Sequence, residues 1–117
     1  MSEIDVFADA GSVERGVALF RQRTLDDPTL NWTFAGINQS LLQRHAVAFV
    51  VATLGGPDLP IGRDLRIVHE RFNLGDEHFD AVVVHLVDSL RNAGISDGVL
   101  AELAIRLEPL RALIVTG

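Results

Sequence analysis

The chain has no cysteine, which excludes thiolate metal sites, thiol nucleophiles and disulfides. Chemistry near neutral pH therefore falls to four histidines, His45, His69, His78 and His85. His45 lies in LLQRHAVAFVVATLGGPDLP, residues 41–60, most of which reads as the apolar ribbon of a helix. On a helical wheel Leu42, Ala46, Phe49 and the methyl of Thr53 share one face, with His45 on the flank beside Leu42 and Phe49. His69 sits in LRIVHERF, with Leu65 and Phe72 one turn away on either side. His78 and His85 are seven residues apart and so share one side of a helix. Taken singly, a histidine beside an apolar face is most often a half-buried residue bonded to a carbonyl.

Zinc suits this set poorly. A tetrahedral site needs three or four close ligands, and His69 with Glu70 or His78 has no recognised spacing. There is no GxSxG elbow and no HExxH pair. GGPDLPIG lacks the lysine and the preceding strand that a phosphate cradle requires. Two histidines on two helices, each among large apolar side chains, point instead to a flat hydrophobic cofactor. Haem needs that combination, an imidazole nitrogen for iron and apolar walls for the porphyrin.

The elements that must position these residues read as helices throughout. Ser12 is the expected N-cap of a helix to about residue 25, with Val13, Val17, Phe20 and Thr24 on one side. Asp26, Asp27 and Pro28 end it, and TLNWTFAGI suits one or two short turns. A helix over about 38–54 follows, closed by GGPDLPIG, the strongest punctuation in the chain. RDLRIVHERF reads as a short helix with NLG as its stop. Asp76 is the expected cap of a long helix ending at Gly94, and Ser96 or Asp97 opens the last one, which Pro109 should kink. No repeat and no alternating strand pattern appears. The expectation is an all-α protein with about five substantial helices, one domain over residues 1–117.

Composition excludes some partners. A net charge of −6, with no basic stripe, argues against nucleic acid. The longest strongly apolar runs, such as 46–54 and 81–87, are too short to span a bilayer, and MSEIDVFADA carries acids where a signal peptide has bases. A cytoplasmic protein without nucleic-acid or membrane partners is expected.

The run from FAGINQSLLQRH to HFDAVVVHL resembles a group I truncated haemoglobin, the two-over-two globin family. Phe34 follows a short aromatic segment, AFVVATLGGP occupies 48–57, GRDLRIVH occupies 62–69 and HFDAVVVHL occupies 78–86. Four landmarks in order at family spacing are specific. The resemblance implies a two-over-two helical sandwich around haem b, with His69 as the proximal iron ligand and Phe34 against the porphyrin. It implies that Leu42 and Ala46 face the bound gas, and that Phe49, Val50, Leu65, Phe79, Val82 and Leu107 wall the pocket. Arg63 is the expected partner of a propionate, since a guanidinium pairs well with a carboxylate.

Departures from the family pattern carry as much information. The tyrosine that hydrogen-bonds oxygen in many members is replaced by Arg21, in the pair Phe20-Arg21, and there is no tyrosine anywhere. The positions that often hold glutamine are Leu42 and Ala46, which cannot donate. In several cyanobacterial relatives a histidine at the position of His45 becomes a second axial ligand, and the alternative keeps His45 at the rim, bonded to a propionate or water. The favoured function is a haem protein for oxygen and other diatomic gases, in oxygen transport or nitric oxide chemistry including dioxygenation, with a reductase as candidate partner and a monomer or weak dimer as its state. The alternatives are a peroxidase-like enzyme using His45 with Arg21, in which imidazole moves the proton and guanidinium stabilises charge, and a haem-free globin-fold sensor.

Overall fold

A computed structural model describes residues 10–55 and 72–115. The described elements are α1 (Ala10–Asp26), α2 (Asn31–Phe34), α3 (Gln39–Gly55), α4 (Asp76–Asn92), α5 (Asp97–Leu107), a 3₁₀ turn (Glu108–Leu110) and α6 (Arg111–Ile114), with no strand among the described residues. The helix expected from RDLRIVHERF lies outside them, except for Phe72.

Helix α1 buries the stripe read from its sequence. Val13, Val17 and Thr24 are completely buried and Phe20 nearly so. Ser12 is not the cap, since the helix begins two residues earlier and the Ser12 hydroxyl accepts from Arg15 Nη2 at 3.1 Å. The termination at Asp27 has a mechanism. Asp27 Oδ1 accepts from both the backbone N–H and the hydroxyl of Thr29, at 2.9 and 2.8 Å, which folds the chain into a turn before α2.

The start of α3 is capped by Asn38, whose Oδ1 accepts from the Leu41 N–H at 3.0 Å. Its far end is capped from another helix, because Arg106 Nη1 on α5 donates to the carbonyls of Thr53 and Leu54, both at 3.0 Å. Asp76 does not cap α4. Gly75 holds that position, and its N–H donates to Nδ1 of His78 at 2.9 Å, so His78 takes the part that a glutamate or glutamine plays in a capping box. At the other end Gly94 adopts φ +104°, and the N–H of Ile95 reaches back to the carbonyl of Leu90, which turns buried Ile95 onto the helix. Ser96 caps α5, and Pro109 converts its continuation into the 3₁₀ turn, as its ring requires.

The helices assemble as two pairs, α1 with α3 and α4 with α5. Helix α1 makes its most extensive contact with α4, and α3 packs on α5. The α1–α4 crossing depends on Gly16: a Cβ there would lie 2.5 Å from Leu90 Cδ2 and 3.0 Å from Leu90 Cα. Val50, Leu54, Leu86, Leu90, Leu100 and Leu103 complete one continuous core with the α1 stripe. No described helix is long and apolar enough to cross a membrane.

Candidate functional site

Phe34, Ala46, Phe49 and Val82 all pack against the core as half-buried side chains, and Val50 belongs to the core itself. Leu42 is half-buried on α3 next to them. The ring of Phe20 meets that of Phe34 edge to face, with centroids 5.7 Å apart, which fixes Phe34 at the corner between α1 and α3. The result is an apolar shelf with its back against the core and its front accessible. Aliphatic and aromatic groups that are each half-covered suit a broad, flat apolar ligand, whereas a small polar ligand would leave them wet.

Phe79 and Leu107 are both buried and line a cavity of about 280 Å³ between α4 and α5, together with Val83 and Ala104. One face of the Phe79 ring is covered by the Arg111 guanidinium, whose Cζ lies 4.5 Å from the ring centroid. That guanidinium is bound to Asp76, Asp80 and Glu108. The hydrogen bonds it donates to Glu108, Asp80 and Asp76 hold its proton even more tightly than is usual for arginine.

His69, Arg63 and Leu65 lie outside the described residues. The ends of that segment are well anchored. On one side Arg106 fixes the last carbonyls of α3. On the other, Trp32 of α2 stands edge-on to Phe72 at 5.8 Å and to His78 at 6.0 Å, where the chain enters α4.

The histidines are placed very differently. His45 is exposed on α3. His78 serves as the α4 cap. The Nε2 of His85 pairs with Asp27 Oδ2 at 2.9 Å, tying α4 to the α1–α2 turn. The hydrogen bond from His85, reinforced by those from Thr29, lowers the Asp27 pKa from 3.8 to about 2. No group of three or more metal-ligating side chains occurs among the described residues.

Arg21 is half-buried and does not meet His45. Its Nε donates to Gln43 Oε1 at 2.7 Å and its Nη1 to Gln39 Oε1 at 3.2 Å. Each glutamine is itself held by its amide nitrogen, Gln43 on the carbonyl of Glu14 at 2.8 Å and Gln39 on those of Phe34 and Ile37 at 3.1 and 3.0 Å. Sequence reasoning missed Gln39, Gln43 and Arg106. Their partners lie on other helices, and nothing in local spacing reports them.

The chain matches the family model described as "Bacterial-like globin" over residues 7–115. This chain belongs to the bacterial-like globin family. Among its relatives, the group 1 truncated haemoglobin GlbN of Mycolicibacterium paratuberculosis is 34% identical over 106 residues, covering 91% of this chain and 78% of that one. GlbN of Synechocystis is 33% identical over 97 residues, covering 80% and 78%. The solved truncated haemoglobin of Tetrahymena pyriformis in its Fe(III) form superposes with a TM-score of 0.81 at 25% identity, covering 96% of this chain and 98% of that one. The two helix pairs are thus the two-over-two globin arrangement. Members of the globin family bind haem b, and the half-buried shelf of Phe34, Leu42, Ala46 and Phe49 fits a porphyrin face.

Proposed function

We propose that this protein holds haem b through His69 and binds diatomic gas on the opposite face, above Leu42 and Ala46. The observation that supports this best is the apolar shelf, which runs from Phe34 through α3 without an internal donor on Leu42, Ala46 or Phe49. Haem supplies an iron with one position for an exogenous ligand. The chain supplies the apolar walls, the proximal imidazole and an exclusion of bulk water. Without tyrosine or a pocket-facing glutamine, the nearby donors are Arg21 and His45, and a hydrogen bond lost from a bound polar gas is worth about 1.5–3 kcal/mol when charge-assisted. Oxygen should therefore leave faster than from tyrosine-bearing globins unless Arg21 turns inward. Titration of haem-free protein with hemin tests the reading. It predicts a Soret band saturating at one equivalent, which shifts on reduction under carbon monoxide. Hemin that stays weakly and non-stoichiometrically associated would contradict it.

A second reading has one observation in its favour. His45 has no hydrogen-bond partner among the described residues, and Leu42, Ala46 and Phe49 lie within a turn of it. Its unengaged imidazole would be available as a second nitrogen donor to the iron if haem occupied the shelf. The ferric protein would then be low-spin, and His45→Ala would render it high-spin. The peroxidase-like pairing gains less support. The Gln39–Gln43 edge that holds Arg21 and the His45 edge lie on opposite flanks of the Leu42–Ala46 ribbon.

A further inference from the structure

In an acidic chain an arginine commonly ends against a carboxylate, and Arg91, Arg106 and Arg111 do so. Arg21 does not. Its two hydrogen bonds go to neutral amide oxygens, and no carboxylate lies within ion-pair distance among the described residues. The glutamines have little freedom to present anything else. Their NH₂ groups are engaged by backbone carbonyls of Glu14, Phe34 and Ile37, so their oxygens face the guanidinium. Amide oxygens orient a cation without cancelling its charge. Two of the five N–H groups of Arg21 are used in this way, and the rest of the fork, including all of Nη2, has no partner among the described residues.

The placement matters as much as the charge. Gln39, Leu42, Gln43 and Ala46 stand at i, i+3, i+4 and i+7 on α3 and form one contiguous patch. A guanidinium seated on the two glutamines borders the two side chains proposed to face the ligand.

We propose that Arg21 makes the distal face selective for small inorganic anions over neutral ligands, with Gln39 and Gln43 as the residues that position it. This rests on the proposed haem reading. A half-buried cation with unengaged donors offers an anion a charge-assisted hydrogen bond that a neutral molecule of the same size cannot match. The rigid fork keeps the donors in place where a lysine would swing away.

The test uses the haem-loaded protein, with azide as the anionic probe, imidazole as the neutral one and carbon monoxide as a field sensor. Arg21→Met should weaken azide binding to the ferric protein by about ten-fold or more while imidazole affinity moves less than about two-fold. It should also raise the C–O stretching frequency of the ferrous carbon monoxide complex, because a positive field at the ligand lowers that frequency. Replacing Gln39 and Gln43 together by Met should reproduce part of the azide loss with Arg21 still present, and this variant carries the test if Arg21→Met fails to fold. Equal azide affinity in wild type and Arg21→Met, or an unmoved C–O stretch, overturns the inference while leaving haem binding intact. A wild type that takes up no haem would instead remove the underlying reading, and this inference with it.

Discussion

Arg111 and Arg21 mark two corners of the molecule that handle a positive charge in opposite ways. At the α4–α6 corner Arg111 is surrounded by Asp76, Asp80 and Glu108, with its Cζ over the ring of Phe79, so its positive charge is locally neutralised. At the α1–α3 seam Arg21 is held with comparable geometry, but by the uncharged Gln39 and Gln43. Both arrangements tie helices together. Only the second leaves a positive charge at the place it holds, and that place borders the apolar shelf. A carboxylate at either glutamine position would answer the guanidinium but could not donate to the carbonyls of Glu14, Phe34 and Ile37, so the amides serve both the seam's hydrogen bonds and its positive charge.

Substitutions separate the two corners. The largest effect on stability should come from neither corner but from the crossing that both depend on. Gly16→Ala would press a methyl against the backbone of Leu90, and since Leu90 Cα cannot swing aside like a side-chain tip, a loss of about 1–3 kcal/mol in denaturant unfolding is expected. An unchanged midpoint would mean that the helices separate easily there. At the seam, Asn38→Ala removes the cap of α3 and should cost about 1 kcal/mol by the same measurement. A smaller loss would mean that Gln39 and its bonds to Phe34 and Ile37 hold the helix start unaided. At the other corner, Arg111→Met should lower the thermal midpoint less than Asn38→Ala does, because its carboxylate partners are largely exposed and screened. A larger drop would show that the stack on Phe79 outweighs the ion pairs.

The smallest effect is a pH dependence. Asp27 titrates at about 2 in the folded chain against 3.8 in the reference state, so the unfolded chain takes up its proton first as pH falls. Its contribution is complete above pH 3.8 and disappears between there and pH 2. The difference in thermal midpoint between wild type and Asp27→Asn should therefore shrink over that interval. A constant difference would show that the His85 and Thr29 contacts do not depend on the carboxylate's charge.

Much of this architecture was legible in the residues. The Val13, Val17, Phe20 and Thr24 stripe, the break at Asp27, the stop at Gly94 and the kink at Pro109 follow from periodicity and backbone chemistry, which are local. The shelf residues of α3 were legible for the same reason. The caps were less so. Ser12 and Asp76 are good capping residues by type, but the helices start at Ala10 and after Gly75, where in the second case the His78 ring takes the capping part. The contacts of Arg21 with Gln39 and Gln43, and of Arg106 with the end of α3, were not legible. They join residues 18 to 53 positions apart, and only the packing angle of two helices brings them together.

The proposal that His69 carries the haem is tested by the absorption spectrum of His69→Gly beside wild type after identical reconstitution. Wild type should show a full Soret band that acid and organic solvent abolish by extracting the cofactor, since a chain without thiols cannot link it covalently. His69→Gly should retain little or no haem, with partial recovery when imidazole is added to fill the space of the missing side chain. A His69→Gly protein with a Soret band of unchanged height and position would contradict it and assign the iron to another residue.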